Sequence, residues 1–87
     1  MNFDEKYFLY IIWSEKLEKY YIGSTVSLER RLAEHNSGKA NFTRKGIPWN
    51  MVYSEEFNTK MDAQKRERYI KRMKSRKYIE SLVLNSV

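Results

Sequence analysis

The sequence predicts an α+β fold: a three-stranded, mostly antiparallel sheet flanked by helices, in the order β-β-α-β-α-α. Three observations lead there. Two runs dense in aromatic and β-branched residues, KYFLYII and YYIGS, are joined by a polar stretch of hairpin length. Later segments repeat apolar residues at helical spacing behind Ser or Thr caps. Between those segments stands one more strand-like run, WNMVYSEEF.

Each element follows from local chemistry. KYFLYII, Lys6 to Ile12, is apolar on both faces, as a central strand requires. WSEKLEK supplies the connection and YYIGS the returning strand. With the turn centred between Glu15 and Lys16, Tyr10 stands directly across from Tyr21, and Phe8 faces Gly23. A slip of one residue would separate the two tyrosines onto opposite faces. A helix opens at Ser27 as N-cap and stops at Asn36-Ser37-Gly38. Its Leu28, Leu32 and His35 share one stripe, with Arg31 beside them. Gly38 to Asn50, with two glycines, one proline and three basic residues, reads as a loop. The third strand runs from Trp49 to about Phe57. The second helix lies within TKMDAQKRERYIKRMK, capped by Thr59 or Asn58, and a last short helix spans about Ser75 to Leu84.

Size and charge narrow the function. Eighty-seven residues suit one domain, 1–87, with no repeat or linker, stabilised by one small core that hides roughly 60% of the extended surface. Hydrophobic content of 41%, with 15% aromatic residues, is enough for that core and argues against disorder. The absence of cysteine excludes disulfides, thiolate chemistry and a cysteine-based zinc site. The start, MNFDEKYFLYIIW, has acids rather than a basic region before its apolar run, so it does not read as a signal peptide. No apolar run nears the roughly 20 residues of a spanning helix, and a cytoplasmic protein is expected. A formal charge of +6 and a pI near 9.6 favour polyanion partners, nucleic acid before anionic membrane, although charge of this kind also serves solubility alone.

Three side-chain sets carry the chemistry. Tyr10 and Tyr21 place two phenols on one sheet face, which is also how two stacked core aromatics would look. Arg31 and His35, four apart, project from neighbouring points of one helical face. They pair a planar donor fork suited to phosphate with an imidazole able to move a proton near neutrality, or they form a surface Arg beside a His paired with Glu34. Glu67 falls on the apolar stripe of the second helix, with Ala63 and Ile70. A carboxylate there needs a cation, and the residues leave two choices open: Arg31, or a divalent metal completed by water and phosphate oxygens.

Together these elements resemble the GIY-YIG nuclease family. The second motif is present as Tyr21-Ile22-Gly23; the first appears as Phe8-Leu9-Tyr10, keeping the tyrosine alone. Arg31, His35 and Glu67 match the family's arginine, histidine and metal-binding glutamate in order and spacing. From about Lys6 to Leu82 the chain looks most like small stand-alone bacterial members, which are similar to the N-terminal nuclease domain of the excision-repair incision subunit. Two departures stand out: the late Asn of several family nucleases has no counterpart, and Ser24 stands where the repair homologue has lysine.

The resemblance implies hydrolysis of DNA phosphodiesters with one divalent ion, Mg²⁺ or Mn²⁺, on Glu67, and a role in DNA repair or recombination. It gives the proton of the attacking water to Tyr10 or to a water that Tyr10 contacts, aided by cations that favour phenolate, and gives Tyr21 the orientation of water or phosphate. Arg31 would bind the scissile phosphate and His35 would relay the proton. DNA contacts are expected from Lys39, Thr43, Arg44 and Lys45 on the loop, with Lys71, Lys74 and Arg76 across the cleft. Contacts of this kind give affinity without sequence information, so targeting would fall to DNA structure or a partner protein. The competing readings are a nucleic-acid-binding module of the same fold whose chemistry has decayed, and a basic protein–protein adaptor.

Overall fold

The computed structural model describes residues 5–85; residues 1–4, part of the predicted chain start, and 86–87 lie outside the described residues. Three strands form one antiparallel sheet: β1 (Tyr7–Ser14), β2 (Lys19–Thr25) and β3 (Trp49–Phe57). Its order is β2-β1-β3, so β1 is central, as its two-sided apolar run requires. The helices are α1 (Leu28–Asn36), α2 (Lys60–Met73) and α3 (Arg76–Leu84), which completes the predicted order. Among the described residues no helix is long and apolar enough to cross a membrane.

Each helix starts where a hydroxyl can accept an otherwise unpaired backbone N–H. Ser27 caps α1 through the Arg30 N–H, Thr59 caps α2 through that of Asp62, and Ser75 caps α3 through that of Tyr78. The loop before β3 holds a single 3₁₀ turn, Arg44–Gly46. It is tied to the sheet at both ends. Buried Ser14 donates to the Gly46 carbonyl at 2.7 Å, and the Asn36 carboxamide exchanges two hydrogen bonds with the Trp49 backbone, at 2.6 and 3.0 Å.

Side-chain alternation along β1 builds two cores. Leu9 and Ile11 point to one face, where they meet Ile22, Ile70 of α2 and Tyr78, Ile79 and Leu82 of α3. Tyr10 and Ile12 point to the other, where Trp49, Leu28 and Leu32 bring in α1. A β-bulge makes this division work on β3. Ile11 pairs with Tyr53 but Ile12 with Met51, leaving Val52 as the extra residue. Trp49 and Met51 therefore serve the α1 face, while Val52, Tyr53 and Phe57 serve the opposite one. On that opposite face Arg66 clamps Glu55 with three N–H···O contacts of 3.0–3.2 Å. Tyr53 donates to the same carboxylate, and burial plus that negative neighbour push its phenol up to about 12.

The hairpin corrects the predicted register by two residues. The turn occupies 15–18, Ser14 pairs with Lys19, and Tyr10 lies opposite Gly23, not Tyr21. Trp13 and Ser14 extend β1 past the expected end. Trp13 stacks on Tyr20 with centroids 4.7 Å apart, and the Ser14 hydroxyl accepts the Leu17 N–H. A shift of two preserves the face, so Tyr10 and Tyr21 remain on one side as diagonal neighbours, 6.4 Å apart. The ring that fills the space above Gly23 is consequently that of Tyr10, where Phe8 was expected. A Cβ on Gly23 would stand 2.5 Å from the Tyr10 hydroxyl and 2.7 Å from the ring carbon bearing it.

Gly23→Ala is therefore expected to destabilise the fold by about 1–3 kcal/mol, the usual cost of overpacking a fixed side chain. Paired with Tyr10→Leu in a denaturant double-mutant cycle, it should show coupling above about 1 kcal/mol. Additive energies would mean that the two positions do not compete for space.

Candidate active site

Tyr10 rises from the central strand into the α1 face and is almost completely buried. Its ring crosses Gly23 toward the β2 edge. There its hydroxyl meets the imidazole Nε2 of His35 at 2.9 Å and accepts the Arg31 Nε–H at 3.3 Å. One turn of α1 separates Arg31 and His35, so the helix delivers both to the same oxygen. Arg31 also donates from Nη1 to Glu34 at 2.9 Å, while its Nη2 has no partner among the described residues. The sequence placed His35 at the seam of the helix; in the structure it is fully buried, its Nδ1 2.8 Å from the Thr43 hydroxyl.

Tyr21 is partly buried on β2 beside these side chains. Its ring contacts His35 edge-on at 5.1 Å and Phe42 at 5.6 Å, and its hydroxyl makes no hydrogen bond among the described residues. Glu67 approaches from the opposite face of the sheet. It reaches the β2 edge from α2, accepts the Ser24 hydroxyl at 2.8 Å on Oε1 and the Lys71 ammonium at 2.7 Å on Oε2. Lys71 in turn lies 5.9 Å from the centre of the Tyr21 ring. The site thus wraps the edge of β2, with Tyr10, Tyr21, Arg31 and His35 on one side and Glu67 on the other.

Electrostatics decide the resting protonation states. Burial raises the Tyr10 pKa, and it outweighs the opposing hydrogen bond and charge of Arg31; Tyr21 and the Glu67 charge add to the rise. Among the described residues Arg31 is the cation that lowers it, and that effect is the smaller one. Burial, with the Arg31 charge behind it, lowers the His35 pKa and keeps the imidazole neutral.

Several expected contacts are redistributed. Arg31 pairs with Glu34 instead of Glu67, and the cation on Glu67 is Lys71, in the acid-before-base i,i+4 spacing that helices favour. Thr43, expected to touch nucleic acid, is buried and spends its hydroxyl on His35 and the Ala40 carbonyl. Arg76 donates to the Glu18 carbonyl and to Glu80 and covers the Trp13 and Tyr20 rings at 5.3 and 5.6 Å, while its side chain stays exposed. Lys39, Arg44, Lys45 and Lys74 are exposed, with Arg44 donating to the Asn41 carboxamide. Phe42 was missed. It is 71% exposed beside Tyr21, and its signal was an aromatic residue inside an otherwise polar, basic loop.

Glu67 is the residue that could hold a metal. Among the described residues no group of three or more acidic, His or Cys side chains converges on a point, which rules against a closed protein cage there. A single hard carboxylate, 21% exposed and already facing a cation, fits a hydrated divalent ion that keeps most of its waters.

Comparison with known proteins shows the family. The sequence model of the GIY-YIG catalytic domain matches residues 6–79. A UPF0213 protein of Streptococcus pneumoniae serotype 4 is 40% identical over 72 residues, covering 82% of this chain and 72% of its own. The UPF0213 protein YsiG of Lactococcus lactis is 39% identical over 83 residues, covering 94% and 79%. The solution NMR structure of a UPF0213 protein from Bacillus halodurans superposes with a TM-score of 0.56 at 34% identity, covering 90% of this chain and 82% of that one. The tyrosine pair, the α1 arginine and histidine and the α2 glutamate thus sit within a matched catalytic-domain span, and the chain belongs to the GIY-YIG family of nuclease-type domains.

Proposed function

We propose that this chain is a divalent-metal-dependent endonuclease that hydrolyses DNA phosphodiester bonds with little intrinsic sequence preference. One observation carries the proposal: the hydrogen-bonded line Arg31–Tyr10–His35 ends at a sheet edge that Glu67 reaches from the other face. The unpaired Nη2 of Arg31 offers a phosphate oxygen a charge-assisted hydrogen bond beside the phenol. Stabilising the charge that builds on the phosphoryl group, such a donor is worth about 3 kcal/mol. Mg²⁺ or Mn²⁺ on Glu67 would supply positive charge to the phosphate and to the departing 3′ oxygen.

A neutral, buried phenol acts as a base only by passing on its own proton. As the attacking water bonds to phosphorus and the P–O3′ bond breaks, the water proton moves to the Tyr10 oxygen and the Tyr10 proton moves to His35 Nε2, 2.9 Å away. The buried imidazolium then returns that proton through the Tyr10 hydroxyl, which passes one on to solvent or to the 3′ oxygen. Tyr21, with a free hydroxyl, orients the water or phosphate. Lys39, Arg44, Lys45 and Lys74 supply exposed charge for the DNA backbone. A role in DNA repair or recombination belongs to this reading and rests on the family resemblance alone. The Lys71–Glu67 ion pair favours one other reading, a binding module in which the ammonium has replaced the metal for good.

Nicking of supercoiled plasmid with Mg²⁺ separates the two. Tyr10→Phe and Glu67→Ala should each lower the rate by at least about 100-fold while DNA binding persists. Equal nicking by wild type and Glu67→Ala would leave only the binding module.

The acid limb should belong to His35. The native state keeps this imidazole neutral whereas the unfolded chain protonates it near the ordinary 6.5, so its contribution to stability is present above that value and declines as pH falls below it. Both the thermal unfolding temperature and the nicking rate should drop on acidification. His35→Gln should flatten the corresponding part of the stability curve, and an unchanged slope would remove His35 from the linkage.

The exposed Phe42 ring offers a stacking platform for an unpaired base next to Tyr21. Phe42→Ala should weaken binding of single-stranded or flapped DNA roughly tenfold, with little change for plain duplex. Fluorescence anisotropy on the two substrates measures the difference.

A further inference from the structure

We infer that Thr43 is a positioning residue, whose buried hydroxyl holds His35 in the tautomer that presents a bare Nε2 to Tyr10. The donor and acceptor inventory of three side chains leads to this. The Tyr10 hydroxyl has two polar neighbours among the described residues, Arg31 Nε at 3.3 Å and His35 Nε2 at 2.9 Å. Arginine can only donate, so the Tyr10 hydrogen has one place to go, the lone pair of Nε2. The opposite arrangement, with a proton on Nε2, would aim two donors at the Tyr10 oxygen and leave its own hydrogen buried without an acceptor.

If Nε2 accepts, the single ring proton of neutral His35 sits on Nδ1. Nδ1 faces the Thr43 hydroxyl oxygen at 2.8 Å, and that hydroxyl can send its own hydrogen to the Ala40 carbonyl at 3.3 Å. The line is then consistent from end to end: Arg31 N–H to Tyr10, Tyr10 O–H to His35, His35 N–H to Thr43, Thr43 O–H to Ala40. Thr43 itself is fixed through its backbone. Its N–H donates to Ala40, and its carbonyl accepts the Gly46 N–H at 3.0 Å and the Trp49 indole N–H at 2.7 Å. The loop that was expected to hold DNA through Thr43 instead fixes a histidine through it.

The catalytic consequence rests on the proposed nuclease reading; the tautomer does not. The chain has a single histidine, so long-range ¹⁵N–¹H correlation spectra of the histidine-labelled full chain report His35 without ambiguity. Wild type and Thr43→Ser should show a protonated Nδ1 and a bare Nε2. Thr43→Val, nearly the same shape without the hydroxyl, should lose that single form, with Nε2–H appearing. Its nicking rate should fall about 10- to 100-fold with DNA affinity unchanged, and Thr43→Ser should restore both the rate and the spectrum. An Nε2–H tautomer in the wild type would overturn the assignment even if Thr43→Val fails to fold. A folded Thr43→Val that keeps the wild-type tautomer would also overturn it. Absence of nicking by wild type beside the expected spectrum would sink the nuclease reading and leave the tautomer assignment standing.

Discussion

The site depends on a polar side chain placed where a core residue belongs. Tyr10 occupies the centre of the middle strand, between Leu9 and Ile11, on a face otherwise closed by Ile12, Trp49, Leu28 and Leu32. A phenol in such surroundings must find partners, because an unmet hydroxyl costs about 1–3 kcal/mol. Gly23 gives the ring room to reach the sheet edge, and α1 meets the hydroxyl there with Arg31 and His35. Burial thus has two effects. It makes Tyr10 a weak acid that keeps its proton at rest, and it makes His35 a neutral imidazole able to take that proton.

A sheet edge is a suitable place for such a site. β2 has a partner on one side only, so α1 on one face and α2 on the other can both extend side chains around it. The Gly23-Ser24 step sits at the meeting point: Gly23 yields to the Tyr10 ring on one face, and Ser24 binds Glu67 on the other. The bulge at Val52 supports the same division from the far edge, since it lets one strand supply Trp49 to the α1 side and Tyr53 to the α2 side. Without it, alternation would put both aromatic rings on a single face and leave one helix with less to pack against.

What the sequence disclosed and what it withheld divide along physical lines. The elements and their caps were readable because hydrophobic period and capping hydroxyls act within a few residues of each other, as at Ser27 and Thr59. The shared face of Tyr10 and Tyr21 was readable because it depends only on parity. Their true offset was not, because the turn is held by Ser14, whose partner Gly46 is 32 positions away. The role of Thr43 was hidden for a related reason: a threonine among basic loop residues looks exposed until Trp49 and Gly46 anchor it beneath His35. Arg76 looked like one more surface cation, and the rings that hold it come from the hairpin. Lys71 is the instructive exception. Its i,i+4 relation to Glu67 lies in plain view in the sequence.

The Glu67–Lys71 pair bears directly on whether the site can work. Two uses compete for one carboxylate, and magnitude separates them. The ammonium is half exposed, and a pair of this spacing on a helix contributes about 0.3–0.5 kcal/mol, discounted further by salt. So small a gain does not account for placing an acid against the packing stripe, at the edge where its charge is felt by the Tyr10 phenol. Nor does it obstruct ligand binding, since the flexible lysine can swing into water while the Ser24 hydrogen bond keeps Oε1 in place. The pair thus adds little to stability, and the fixed geometry at Glu67 comes from Ser24 rather than from Lys71.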